Sequence, residues 1–142
     1  FIAPIVYKTT TCFTIEHMFS NNGQLMEQFT DANGEFDEKL FIDERNRLGA
    51  VILMKGNENI RTSNWVYKKK LKSYQNSGFI WNRILTNSIN PASLNNCTDE
   101  IKDYFKAYEP DEEGLLVRDA INERQELLFR IITKIYSNEI VA

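Results

Sequence analysis

The longest regular pattern in the chain is an apolar stripe at helical spacing between residues 113 and 138. Its members are Leu116, Ala120, Leu127, Leu128, Ile131, Ile132 and Ile135. A stripe with this period predicts a long amphipathic helix. Shorter helices are predicted at 24–29, 37–45, 65–74, 79–87 and 99–108, whereas only 11–16 and 50–54 have the composition of strands. The sequence therefore predicts an α+β fold that is mostly α, a helical domain carrying one small hairpin.

A polar segment, residues 57–64, separates the second predicted strand from the helix at 65–74. Gly56 is predicted to end that strand. Thr62, Ser63 or Asn64 is predicted to cap the helix, because hydroxyl and amide side chains accept bonds from the free N–H groups of a first turn. The lysines expected to point outward from this helix are Lys68, Lys69 and Lys72.

The size and composition of the chain indicate one globular domain over residues 1–142. With 42% hydrophobic and 26% charged residues, the 142-residue chain resembles soluble domains with a single core. No apolar run reaches the roughly 20 residues of a membrane span, and no signal peptide opens the chain. The cytoplasm is the expected compartment. Since the first residue is Phe1 rather than methionine, the chain is expected to be a piece of a longer protein or a trimmed one.

The cysteines and the single histidine limit the metals that the chain can hold. Cys12 and Cys97 are far apart and belong to no Cys-x-x-Cys pair. A zinc ribbon or a zinc finger is therefore excluded. Any bound metal would use oxygen ligands with one imidazole, which favours Mg²⁺ or Mn²⁺ over zinc.

Positive charge is concentrated in the middle of a chain whose net charge is −3. The segment 45–83 contains nine basic residues and a single acid, Glu58, so it carries +8, and the rest of the chain carries −11. Such a centre could face the phosphates of a nucleic acid, although a solvated helix face would look the same. The candidate nucleic-acid contacts are Lys55, Arg61, Asn64, Lys68, Lys69 and Lys72.

The only histidine, His17, follows Glu16 at the end of the first predicted strand. An imidazole can take a proton from an attacking water, and an adjacent carboxylate can hold a divalent cation. Asn59 lies where a ligand from the next helix would be expected. Each residue also has an ordinary interpretation: a lone histidine is often a hydrogen-bonded structural residue, and asparagines between elements are often turn residues.

Taken in order, these segments resemble the HNH endonuclease domain at the C-terminus of GmrSD-type modification-dependent restriction enzymes. The resemblance covers nearly the whole chain. It rests on Glu16-His17-Met18, on Asn46-Arg47-Leu48-Gly49-Ala50-Val51-Ile52-Leu53, on Asn59, Asn64, Lys68 and Tyr74-Gln75-Asn76-Ser77, and on Ile121-Asn122-Glu123-Arg124-Gln125-Glu126-Leu127-Leu128.

The resemblance implies a ββα-metal (HNH-type) motif in a DNA endonuclease of a bacterial restriction or phage-defence system. It assigns His17 as the general base, Glu16 and Asn59 as ligands of one Mg²⁺ or Mn²⁺, and Lys68 as a phosphate contact. It also implies double-stranded DNA as the partner, no membrane, and a nucleotide-binding domain on the N-terminal side. The chain departs from the family at Ala50, where an asparagine is usual, and Asn46 is the candidate substitute.

Two alternatives remain open from the sequence. A catalytically degenerate copy would keep the fold and bind DNA in a salt-sensitive manner without cutting it. A helical protein-interaction module would not bind DNA at all, and its basic segment would be only a solvated surface.

Overall fold

In the computed structural model, the described residues are 13–21, 27–90, 92, 95 and 99–137. The elements in chain order are β1 (Phe13–His17), α1 (Glu38–Arg45), a 3₁₀ turn (Leu48–Ala50), β2 (Val51–Lys55), α2 (Gly56–Thr62), α3 (Tyr67–Gln75), α4 (Ile80–Ile84), α5 (Asp99–Lys102) and α6 (Arg118–Tyr136). The α+β class with mostly helical content is confirmed for these residues. None of the helices among them is long and apolar enough to cross a bilayer.

The two strands form an antiparallel pair although residues 18–50 separate them in the chain. The register runs from Phe13 opposite Lys55 to His17 opposite Val51. Because side chains alternate along a strand, one face carries Glu16, Ile52 and Met54, all buried. The strand predictions at 11–16 and 50–54 are therefore confirmed within the described residues, with bounds shifted by one or two positions.

The core lies against the buried face of the strand pair. Phe19, Phe29 and Phe41 stack edge to face, with ring centroids 5.2–5.3 Å apart. Tyr67 and Tyr74 of α3 and Ile121 of α6 belong to the same buried cluster. Phe41 lies on α1, whose first turn is capped by the Asp37 carboxylate accepting from the N–H of Leu40 at 2.8 Å.

The polar segment after β2 contains a helix that the sequence did not predict, because Gly56–Thr62 form α2 directly after the strand. Gly56 does end the strand, as expected, but it also begins this helix. Thr62 is fully buried inside α2, and α3 begins at Tyr67 after Val66 with no side-chain cap. The capping prediction for Thr62, Ser63 or Asn64 is therefore wrong. Contacts with the strands stabilise the polar segment Gly56–Thr62 as a helix. Local helix propensity does not include such tertiary contacts.

The other helices begin later or end earlier than predicted. α6 begins at Arg118 rather than 113, because Gly114 has φ +84° and its N–H donates to Asp111 in a turn that a helix cannot include. The prediction at 79–87 shortens to α4 and the one at 99–108 to the four-residue α5. Residues 24–26 and Thr98 lie outside the described part of the chain, and 27–29 form a 3₁₀ turn.

Candidate active site

The end of β1 and the end of α1 bring an imidazole and an amide together. His17 is the last residue of β1, and Asn46 is the C-terminal cap of α1. The Nε2 atom of His17 lies 3.0 Å from Oδ1 of Asn46. Since an amide oxygen only accepts hydrogen bonds, Nε2 carries the hydrogen. In the neutral ring, the free lone pair is then at Nδ1, which is able to accept a proton.

The surroundings of His17 favour the neutral ring. Partial burial, followed by the positive charge of Arg45, lowers the pKa of His17 below its ordinary value. The Asn46 hydrogen bond and the charge of Glu16 oppose this shift, and Lys70 adds to it. Arg45 is held near the imidazole because its Nε donates to the carbonyl of Phe19 at 3.2 Å. The lowered pKa therefore favours the unprotonated imidazole at neutral pH, which is the form that acts as a base.

Ala50 occupies a packed turn and not a position facing His17. It is fully buried, its N–H donates to the carbonyl of Arg47, and its carbonyl accepts from the N–H of Met18 at 2.8 Å. The methyl group thus fits a position inside the core cluster. The polar partner of His17 comes from Asn46, four residues earlier in the chain.

Helix α6 holds the turn between Asn46 and β2. Arg124 is buried, and its Nη1 donates to the carbonyls of Leu48, Gly49 and Val51 at 3.2, 2.6 and 3.1 Å. Gly49 touches the helix so closely that a Cβ there would lie 2.4 Å from the carbonyl oxygen of Ile121. The turn is therefore fixed by the last helix of the described chain, and side-chain volume is excluded at Gly49.

The side chain of Glu16 is directed into the core, on the strand face opposite to that of His17. Its Oε1 lies 2.7 Å from Nζ of Lys70 and 3.4 Å from the hydroxyls of both Thr62 and Tyr74. The side chains of Lys70 and Glu16 are 0% and 2% exposed. Lys70 Nζ also donates to the backbone carbonyl of His17 at 2.5 Å. Burial raises the pKa of Tyr74 well above its ordinary value, so its hydroxyl remains a donor.

Lys70 is a residue that the sequence interpretation missed, since it was counted within a solvated basic segment. A signal was present in the spacing. Tyr67, Lys70 and Tyr74 are three and four residues apart, which places them on one face of a helix. All three are buried, whereas Lys68, Lys69 and Lys72 are exposed as predicted.

Glu16 and Asn59, the predicted metal ligands, both already make contacts within the protein. Oε1 of Glu16 is already paired with an ammonium group. Asn59 uses Nδ2 to donate to Oγ1 of Thr14 and to the carbonyl of Ile15, both at 2.8 Å, which attaches α2 to β1. Across the described ranges there is no group of three or more histidine, cysteine, aspartate or glutamate side chains that could hold a metal. The donor set therefore does not fit a divalent cation at Glu16.

Three of the six predicted nucleic-acid contacts line one groove, between α2 and α3. Arg61, Lys69 and Lys72 share it with Glu58, Trp65, Ser73 and Asn76, and its volume is about 410 Å³. The ammonium of Lys69 lies 4.2 Å from the centroid of the Trp65 ring, which is a cation–π contact. We call this surface the α2–α3 groove.

The other three predicted contacts are exposed but lie outside the lining of the α2–α3 groove. Lys55 ends β2 and borders a smaller cavity beside Phe13 and Phe79. Asn64 is in the turn after α2. The N–H of Lys68 donates to the carbonyl of Gly114 at 2.9 Å, so this lysine lies beside the turn that precedes α6.

A comparison with protein families matches residues 4–131 to the C-terminal domain of GmrSD restriction endonucleases. The matched range includes both strands, the turn around Asn46 and most of α6. No curated protein and no solved structure shows a significant match to the chain.

Proposed function

Because the chain belongs to the GmrSD restriction endonuclease C-terminal domain family, we propose that it hydrolyses phosphodiester bonds of double-stranded DNA with His17 as the general base. The family supports a role in a restriction endonuclease with DNA as substrate. The observation that carries the finer assignment is the 3.0 Å contact between His17 and Asn46. It orients the only histidine of the chain with a free lone pair at Nδ1.

The chemistry that these residues support is attack by water on phosphorus. A water proton passes to Nδ1 of His17 as the water oxygen forms a new bond to phosphorus. The bond between phosphorus and one ester oxygen breaks, and that oxygen leaves and takes a proton from solvent. Asn46 keeps the imidazole in one tautomer and orientation throughout, since its Oδ1 accepts from Nε2.

The divalent cation expected from the sequence, Mg²⁺ or Mn²⁺, would stabilise charge on the phosphate when bound. No step above passes through it, because the donor set at Glu16 does not fit such a cation. The cation therefore remains a prediction that the cleavage assay tests directly.

The α2–α3 groove is proposed to bind the DNA backbone. Arg61, Lys69 and Lys72 outnumber Glu58 on its walls, and cationic side chains contribute affinity through phosphate contacts without reading the base sequence. Such contacts would not by themselves recognise a particular sequence or modification. We also propose that a nucleotide-binding domain lies on the N-terminal side of this chain and that the protein is cytoplasmic.

Nicking of supercoiled plasmid by the parent and by His17→Ala, with Mg²⁺, Mn²⁺ or EDTA, tests the proposal. Asn57→Ala is the matched control, since Asn57 is an exposed residue on α2. We expect cleavage by the parent and the control, and a rate about 10²- to 10⁴-fold lower for His17→Ala. Equal cleavage rates for the parent and His17→Ala would refute the histidine mechanism.

The second candidate function is a catalytically degenerate DNA-binding module of the same fold. The observation that favours it is the Glu16–Lys70 pair, which occupies the carboxylate expected to act at the site. This candidate predicts DNA binding that weakens with salt and no cleavage by the parent in any metal. Absence of DNA retention even at low salt would favour the protein-interaction module instead.

A further inference from the structure

Glu16 and the backbone carbonyl of His17, at the end of β1, present oxygen atoms of the kind that bind cations. The positively charged group that contacts them is the side chain of Lys70. We propose that the Lys70 ammonium is the resident cation of Glu16, so that Glu16 does not bind a divalent cation in the folded domain. This inference does not depend on whether the chain cuts DNA.

The contacts of Lys70 are those that a bound cation would make. Its Nζ lies 2.7 Å from Oε1 of Glu16 and 2.5 Å from the carbonyl oxygen of His17. These are a carboxylate and a backbone carbonyl of consecutive residues, the oxygen types that hard cations select. An ammonium group satisfies the same oxygens through directed N–H donors.

Positive charge already faces Glu16 at this position. Glu16 supplies one negative charge and Lys70 one positive charge, and both side chains are nearly inaccessible to solvent. The charge of Arg45 also acts on Glu16 and Lys70. The other groups within 3.4 Å of Oε1 are the neutral hydroxyls of Thr62 and Tyr74. A divalent cation entering here would meet the ammonium at close range in a poorly screened interior, where like charges repel strongly.

Lys70 is held in place by packing on the buried face of α3. It lies between Tyr67 and Tyr74 on the buried face of α3, and its side chain has no exposed area. Burial lowers the pKa of Lys70, and the charge and hydrogen bond of Glu16 oppose this shift. Because the ammonium is buried, it acts on the His17 backbone as a positioning residue and does not touch DNA.

Mn²⁺ binding tests the inference without any measurement of activity. Free Mn²⁺ is followed by electron paramagnetic resonance in titrations of the parent and of the double variant Glu16→Gln/Lys70→Met. The double variant replaces both charges with neutral side chains of similar size, an exchange that folded proteins often tolerate. We expect the two titrations to coincide. A saturable Mn²⁺ site in the parent that the double variant lacks would overturn the inference.

Removing the ammonium alone gives the complementary result. In Lys70→Ala the carboxylate stays and space opens beside it, so we expect a new Mn²⁺ site with a dissociation constant of about 10⁻⁴ to 10⁻³ M, as in weak oxygen sites. The site should vanish in Glu16→Gln/Lys70→Ala and should not arise in Lys69→Ala, which changes an exposed lysine of the same helix. Folded Lys70→Ala with no gain over the parent would contradict the proposal. If Lys70→Ala does not fold, the titrations of the parent and the Gln/Met double variant still decide the question.

Discussion

The contact between His17 and Asn46 predicts that their substitutions will not act independently. Loss of a general base typically costs about 10²- to 10⁴-fold in rate, and this is expected for His17→Ala. Asn46→Ala removes one neutral hydrogen bond, worth about 0.5–1.5 kcal/mol net. At about 1.36 kcal/mol per tenfold change, this corresponds to a loss of about 2- to 12-fold.

The double variant His17→Ala/Asn46→Ala distinguishes a partnership from two separate roles. If Asn46 acts only by orienting the imidazole, it has nothing left to orient once His17 is gone. The double variant should then nick plasmid at the rate of His17→Ala, measured from initial rates at saturating DNA. A further several-fold loss in the double variant would show that Asn46 acts on DNA or water directly, and the reasoning would be refuted. Asn57→Ala should match the parent.

Three further predictions concern stability, pH and DNA binding. Arg124→Met leaves three carbonyls without their charged donor, so it should lower the free energy of unfolding by about 3 kcal/mol. Urea unfolding should measure this loss. Arg130→Met, at an exposed position of α6, should not lower the free energy of unfolding. The pKa of His17 is lowered in the folded state from an ordinary 6.5. The stability that His17 contributes is therefore complete above pH 6.5 and falls as the pH drops through the folded pKa. Between about pH 7.5 and pH 5.5, His17→Ala should lose less stability than the parent. The same shift places the acid limb of the cleavage rate below 6.5, and a limb at or above 6.5 would contradict it. Arg61→Ala should reduce the slope of log K against log salt for duplex binding by about 0.9, whereas Lys39→Ala, at the exposed Lys39–Asp43 pair of α1, should leave it unchanged.

The sequence predicted the two strands well because their patterns are local. The composition of five-residue segments was enough to locate β1 and β2. It did not identify the buried face, because Phe13 and Ile15 are exposed whereas Glu16 is buried. Asn46 was a candidate because it lies close to Ala50 in the sequence. Its contact with His17, 29 residues earlier, depends on how α1 ends and could only be found in three dimensions.

The features that the sequence concealed are those created by tertiary packing. Apart from Ile60, α2 consists of glycine, asparagine and other polar or charged residues, and the glycine and asparagines favour turns when considered alone. It is helical because Asn59 and Thr62 bond to β1 on one side. Lys70 was concealed for a different reason, since three of its basic neighbours on α3 are exposed and only the tyrosine spacing distinguishes it.

The hydrogen bonds of Arg124 join a late part of the chain to a turn that is translated much earlier. The arginine grips carbonyls that lie 73 to 76 positions earlier, and it belongs to α6, which leaves the ribosome after every other element described. Until that helix emerges and docks, the turn that presents Asn46 to the imidazole lacks its anchor. The proposed hydrolytic centre is therefore completed only after α6 has been translated and has docked, and a chain truncated before α6 would lack the anchor of this turn.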